Sequence, residues 1–491
     1  MKTGIFILAG LLVLGLALLL PYRNFVGDDA FIHLRYIENL YQDQGFSFNP
    51  GEPSYGSTSP LWVLLLATLR PLFSNPVFAL KLVALVLALG AIIFFFLLSR
   101  QYFQEPVWVI AAGVLFVLDP WFIKWTMSGM ENGLNLVLLL SGFWWYLRQR
   151  NSGKSNWLSP ILLGLCWLTR PEIVFFLGLI FSDVLLFETK KKKANLALLA
   201  VLVVAVMSPW LIYAYSNFST VIPNTMLARN ADETVSLPFT FTLTKTAKIL
   251  FSNNLLELVV ILLAGVASLN KSWRERFFPG GMADYFVPVL WPVLLIAFYL
   301  AGKTNVMARY LLMVTPFMIL LGLRALRAGL ETVMRRPRVR LAALGVFCVL
   351  VAAQLIFVQA KYTFFVTKFS NGMDDNLIDI GLWFAQNTPP ETVIAAHEIG
   401  AIGYFSQRKI LDFSGLVCPE IVPYIRERRT FDFIKERKPD YLVHQSWEEF
   451  DLLKDPNLGA HLSPLFAKRV QREGSSVVGN KEIMSVYKTH F

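Results

Sequence analysis

Apolar residues run along this chain in long blocks separated by short polar turns. A helix that crosses a bilayer needs about 20 apolar residues. Blocks of that kind fall near 4–22, 78–98, 107–123, 133–148, 157–169, 172–188, 195–215, 252–269, 285–300, 310–328 and 340–360, which predicts eleven spans. A further apolar stretch, 60–73, is short and ends around Arg70-Pro71; it reads as a helix lying at the interface. Beyond residue 360 the pattern changes. TVIAAHEIGAIGYF, RKILDF and PDYLVHQ read as short buried strands next to polar turns, and FDFIKERK and SWEEFDLLKD as helices between them. The expected architecture is mainly α: a polytopic helical bundle over 1–360, with a first loop at 23–59, followed by an α/β domain over 361–491.

Composition agrees with that division. Of 491 residues, 55% are hydrophobic and only 16% charged, which suits a polytopic membrane protein and not a soluble globule. The net charge of +11 would suggest nucleic acid as a partner in a soluble protein. Here the basic residues sit mostly in short loops, where they fix topology and touch lipid headgroups. The three cysteines include no CxxC pair, so neither a disulfide framework nor a zinc site is expected. Residues 4–20 resemble a signal peptide, but no small-residue cleavage site follows, and a retained signal anchor is the reading.

Charge also orients the bundle. With the N-terminus cytoplasmic and 60–73 not crossing, Arg148, Arg150, Lys154, the Lys190–Lys193 run, Lys271, Arg274, Arg276 and the arginines between 324 and 340 all fall on the cytoplasmic side. If 60–73 crossed, every later loop would invert and the lysine run would face outward, against the positive-inside rule. The same topology places 361–491 outside the cytoplasm, with the protein multi-pass in the plasma (inner) membrane.

The unusual polar residues then gather on the outer side. Asp28 and Asp29 follow the first span, and carboxylates beside a bilayer are costly unless solvated, paired or used. Asp29, Ala30, His33 and Ile37 fall at helical spacing, so the acidic pair opens an amphipathic helix that also carries Arg35. One aspartate suffices as a helix cap; a second is left to explain. Glu131 heads an apolar run after a loop with Trp121 and Trp125, tryptophans of the kind that form an aromatic belt. Arg170 stands in a tight TRPE turn, with Glu172 or an outer-loop Asp as the alternative partner to an anion. Asn224 and Arg229 lie in the next outer loop, and Lys303, Arg309 and Tyr310 in the one after. Arg170, Arg229, Lys303 and Arg309 suit a phosphate, arginine as a fork and lysine as a point charge. One carboxylate would deprotonate an acceptor hydroxyl while the cations stabilise a departing lipid phosphate. That is the chemistry of sugar transfer from a lipid-linked donor.

The segment GDDAFIHLRYIENL…GFSFNPGEPSYGSTSPLW resembles the first periplasmic loop of GT-C integral-membrane glycosyltransferases, in the branch of arabinofuranosyltransferases and bacterial mannosyltransferase-like proteins. SGMENGLN, LTRPE, IPNTMLAR, ARYLLMVTP, EIGAIGYFSQRKILDFSGLVCPE and PDYLV extend the resemblance over most of the chain. It implies a GT-C bundle, a polyprenyl-phosphate sugar donor, and a glycan, lipid or protein acceptor on the outer face. It also implies that Asp28 or Asp29 is the catalytic base. Family members commonly carry lysine where this chain has Arg229. Some GT-C enzymes bind a divalent metal ion at their first-loop acids and others do not, so metal at Asp28 and Asp29 stays open. The outer domain is implied to help bind acceptor; His397 there reads more simply as a core or surface histidine. Two other functions remain: a flippase for lipid-linked sugar, which would want polar groups near the membrane midplane, and a non-catalytic glycan-binding envelope protein.

Overall fold

The computed structural model describes residues 2–150, 152, 154–231, 237–278, 281–470 and 482–491; the side chains of 229, 230, 282, 362, 364–375, 469, 470 and 482 lie outside the described residues. Each of the eleven apolar blocks corresponds to a helix. They are α1 (Lys2–Leu19), α4 (Pro76–Tyr102), α5 (Pro106–Val117) with α6 (Pro120–Thr126), α7 (Asn132–Gln149), α8 (Leu158–Trp167), α9 (Ile173–Phe187), α10 (Lys192–Phe218), α12 (Phe239–Ala267), α14 (Phe286–Ala301), α16 (Thr315–Val333) and α17 (Pro337–Gly372). Between them lie α2 (Asp28–Tyr41), α3 (Pro60–Leu69), α11 (Asn224–Ala231), α13 (Lys271–Phe277) and the single turn α15 (Ala308–Leu311). Among the described residues, six helices are long and apolar enough to cross a membrane alone, and the α5–α6 pair, bent by 54°, makes a seventh. Helices α8 and α9 have 10 and 15 residues and are too short by themselves.

The outward faces of α10, α12 and α17 show what surrounds them. Val201, Val204, Ile212, Leu262, Leu263, Val266, Val346 and Val349 are exposed, as a lipid-facing surface requires. Inside, small residues let helices approach. A Cβ on Gly142 would lie 2.9 Å from Leu163 across the α7–α8 contact.

Two features of the first loop fix its shape. A two-stranded ribbon, β1 (Ser47–Asn49) and β2 (Glu52–Pro53), folds back on α2. Asn39 donates to the carbonyls of Ser47 and Phe48 at 2.9 and 2.8 Å. The apolar part of α17 ends at Lys361; the helix continues to Gly372, and a π-helical turn at Met373–Ile378 leads into α18 (Asp379–Asn387).

A five-stranded sheet follows, in the order β4-β3-β5-β7-β6. Strands β3 (Val393–Ala396), β4 (Lys409–Asp412) and β5 (Tyr441–Ser446) are parallel; β6 (Leu462–Val470) and β7 (Glu482–Thr489) form an antiparallel pair beside β5. The three expected strands correspond to β3, β4 and β5. GAIGYFS, read as part of the first strand segment, is instead helix α19 (Gly400–Ser406), because the chain must cross over to return parallel. The remaining helices are α20 (Val422–Arg426) and α21 (Thr430–Arg437); DLLK in the second expected helix is a 3-10 turn.

Strand alternation divides this domain's core. Ala395, Leu411 and Leu442 face Phe433 and Ile434 of α21. Ile394, Ala396, Ile410 and Val443 face the other way and join the core that runs into the bundle. Helix α19 lies on that second face and docks on α2, where Phe31 meets Tyr404 and Phe405 with ring centroids 5.6 and 5.3 Å apart. Asn49 pairs both ways with Ile410 of β4, at 2.9 Å in each direction, so the first loop covers the free edge of the sheet.

Arg35, expected at the substrate site, belongs to this interface instead. It is 1% exposed and donates to the Phe48 carbonyl (3.1 Å), the Arg408 carbonyl (3.4 Å) and the Gln407 side chain. Burial lowers its pKa to about 10. Arg35→Ala strands these acceptors and is expected to lower stability by about 3 kcal/mol, as charged hydrogen bonds of this kind do. Thermal unfolding of the purified protein, with proteolysis of the C-terminal domain as a second readout, checks this.

Candidate active site

Gly27, extended at φ −77° and ψ 153°, caps α2 without a side chain, so Asp28 and Asp29 open the first turn. Its N–H donates to the Ser128 carbonyl at 3.0 Å and ties the first loop to the second. Carboxylates at a helix start are stabilised by the exposed N–H groups there. Successive helical side chains diverge by about 100°, and the two aspartates accordingly have different partners.

The Asp28 carboxylate accepts the backbone N–H of Ala401 (2.8 Å) and Gly400 (3.1 Å) at the start of α19. A Cβ on Gly400 would lie 2.1 Å from the Asp28 carbonyl oxygen, so this approach requires glycine. Burial pushes the Asp28 carboxyl up to about 8; the charges of Glu398 and Asp29 push the same way, and the two N–H bonds oppose them.

Asp29 turns toward the bundle. Its Oδ2 accepts from Arg309 Nη2 at 2.7 Å, and 45% of its side chain remains exposed. Burial would raise its pKa, but the Arg309 guanidinium outweighs this and holds it below the usual aspartate value. Arg309 lies over the rings of Trp125 and Tyr310, at 5.5 Å from each centroid. Tyr310 is shared: Arg170 lies 5.1 Å from the same ring.

Arg170 Nη2 binds Glu131 Oε1 at 2.8 Å and its Nη1 lies 3.8 Å from Glu172, so of the partners considered for it Glu172 is beside it, and Glu131 stands in place of an outer-loop Asp. Glu172 accepts from Tyr299 Oη at 2.8 Å, and Tyr299 stacks on Tyr310. Glu131 is 2% exposed; burial raises its pKa, but the Arg170 charge outweighs this and keeps the carboxyl below its ordinary value. His33, one turn after Asp29, lies 3.9 Å from Glu131 and bonds Ser57 at 3.3 Å through Nδ1. Burial lowers the His33 pKa despite the Glu131 charge, which keeps the ring neutral at pH 7.

The structure therefore gathers Asp29, His33, Glu131, Arg170, Arg309 and Tyr310 into one continuous cluster. Among the described residues, no hydrogen bond or ion pair joins Asn224 or Lys303 to it. Asn224 starts α11 and donates its backbone N–H to the Tyr55 carbonyl at 2.8 Å. Lys303 is exposed in left-handed backbone (φ 46°) after α14. The Arg229 side chain lies outside the described residues. Sequence reasoning missed Trp125 and Lys124 as site residues. Both are 5% exposed, and Lys124 Nζ lies 4.8 Å from the Trp125 ring, so this tryptophan is not a lipid-facing belt residue. Its signal was the neighbouring lysine in an otherwise apolar turn.

The acids fit a divalent metal poorly as arranged. Both Asp28 oxygens accept N–H bonds, one Asp29 oxygen binds arginine, and among the described residues no three His, Cys, Asp or Glu side chains converge as metal ligands would.

Against solved structures, the chain matches ArnT from Cupriavidus metallidurans bound to undecaprenyl phosphate with a TM-score of 0.61 at 13% identity, covering 98% of this chain and 97% of that one. The mycobacterial arabinofuranosyltransferase AftD matches with a TM-score of 0.58 at 14% identity, over 98% of this chain and 40% of AftD. The fold is that of these two structures. In sequence, this chain is 29% identical over 240 residues to a Corynebacterium glutamicum terminal β-(1→2)-arabinofuranosyltransferase, a stretch that is 43% of this chain and 34% of the relative. The chain thus spans about a third of the length of that curated relative. A family model described as a domain of unknown function (DUF8728) matches residues 367–487.

Two outcomes follow from the cluster. Arg170→Ala leaves Glu131 buried without its cation and is expected to cost about 3–5 kcal/mol; adding Glu131→Gln recovers part of that loss in denaturant unfolding. For Asp28, the docked carboxyl has a pKa above the ordinary 3.8. Docking of the C-terminal domain is then strongest below about pH 4, weakens as pH rises toward 8, and changes little above. Hydrogen exchange at α19 should speed up between pH 6 and 8 beyond the intrinsic base-catalysed rise, and Asp28→Asn should remove that excess.

Proposed function

We propose that this protein moves a sugar from a polyprenyl-phosphate donor to an acceptor hydroxyl at the outer face of the plasma membrane. The Asp29–Arg309 pair, beside the Arg170–Glu131 pair on the shared Tyr310 ring, carries the proposal: it sets a half-exposed carboxylate next to one buried and one largely buried guanidinium. Asp29 is the base. Its Oδ1, not used by Arg309, takes the acceptor proton as the acceptor oxygen bonds to the anomeric carbon. The anomeric carbon–phosphate oxygen bond breaks, and Arg309 and Arg170 stabilise the charge left on the lipid phosphate. Tyr310 and Trp125 hold the guanidiniums against their rings, and Glu131, beside His33, holds Arg170 in place.

The relatives support this reading: the Corynebacterium protein is named for arabinofuranosyl transfer, and ArnT was solved with undecaprenyl phosphate. The basic loops support an N-terminus in the cytoplasm and the cluster and outer domain outside. The acceptor is a glycan, a lipid or a protein of the cell envelope.

The test is release of polyprenyl phosphate by protein reconstituted in lipid, across a panel of polyprenyl-phosphate sugars and acceptors. Asp29→Asn should reduce release by roughly 10²–10⁴-fold, the usual scale of a general base, with unfolding unchanged. Because Arg309 holds the Asp29 pKa low, the wild-type rate should persist down to about pH 4, near the ordinary aspartate value. Movement of intact donor across the bilayer without release would instead establish a flippase.

A further inference from the structure

Beyond the aspartate cluster, two interrupted membrane helices meet at their breaks. The first break is the 54° bend between α5 and α6, at Asp119 and Pro120. The second lies within α12, where Asn254 leaves helical backbone at φ −125° and ψ 28°. Asn253, beside that break, donates its side-chain amide to Asp119. Gln354 of α17 donates to the carbonyls of Phe251 and Ser252, which the break leaves accessible. Interrupted helices whose breaks converge within a bilayer are the usual construction of ion and substrate sites in membrane transporters.

The polar groups here are not closed on themselves. Glu257 is one turn beyond Asn253, 1% exposed, and close enough to Asp119 for their charges to interact. Its Oε2 and the Asn253 Oδ1 have no hydrogen-bond partner. Thr246 and Thr242 continue the same face of α12 toward the Arg309 loop, fully buried, with unpartnered hydroxyls. Among the described residues, no Lys, Arg or His forms an ion pair with Asp119 or Glu257. Two carboxylates and an idle amide oxygen in a membrane interior call for a positive charge.

We propose that Asp119, Asn253 and Glu257 form a binding site for one small monovalent cation of the Na⁺ type. The donors are carboxylate and amide oxygens, a hard set that suits such an ion and not a soft metal that seeks thiolate or imidazole. Thr246 and Thr242 line its approach from the side of the aspartate cluster. The site connects to that cluster structurally. Asp119 also caps α6, accepting the Phe122 N–H at 2.7 Å, and α6 carries Lys124 and Trp125. A bound cation therefore joins α12 to the element that supports Trp125 beneath Arg309. This inference is independent of the proposed transferase activity.

The test is equilibrium binding of ²²Na⁺ to the purified full-length protein in choline chloride at constant ionic strength. Wild type should bind about one Na⁺ per chain, saturably, and its melting temperature should rise with Na⁺ relative to choline. Glu257→Gln and Asn253→Ala should each reduce binding at least tenfold. Infrared difference spectra of wild type should show a protonated carboxyl lost as Na⁺ enters, a readout that requires no variant to fold. Absence of saturable binding to wild type overturns the proposal and assigns the charge to a proton. Undiminished binding in both variants, or no carboxyl change in the wild-type spectra, also overturns it.

Discussion

A helix cannot aim two successive side chains at one point, and much of this structure is organised around that constraint. Asp28 and Asp29 are adjacent, yet the first clasps the start of α19 in the C-terminal domain and the second reaches Arg309 near the bundle. One turn of α2 thereby belongs to two bodies. It gives the carboxylate beside Arg309 a fixed direction, because the helix carrying it is held from the other side. Arg35, two turns along, reinforces that hold through three acceptors.

The cluster around Asp29 is assembled from four loops, each brought in by a different pair of helices. Buried charges tolerate this only when matched. Glu131 has Arg170, Arg170 has a second carboxylate, and both arginines rest on Tyr310. Arginine suits this role better than lysine: its planar head pairs at the edge and stacks on the face at once. The neutral His33 extends the network without adding a charge.

Much of this was legible in the sequence for a simple reason. Apolar blocks of bilayer length mark the helices, and a charge at the end of such a block is conspicuous, which singled out Asp29, Glu131, Arg170 and Arg309. Residues whose importance comes from long-range contact were not legible. Arg35 looked like any cation on an amphipathic helix until Gln407 and Arg408 came to it from the far end of the chain. Strands β6 and β7 carry too few apolar residues in alternation to stand out from the polar tail. GAIGYFS is as apolar as a strand, and only the need for a parallel return makes it helical. The middles of the spans read as almost free of charge, yet Glu257 lies within α12, where one acid among so many leucines and valines barely changes the average.

The closeness at Gly400 has a consequence for evolution. The C-terminal domain meets the bundle where a single methyl group would strike the Asp28 backbone. A domain borrowed from another lineage, however well folded, would fit this bundle only if it arrived with a bare backbone at that one position. Recombination among such proteins is thus gated by the absence of one carbon atom.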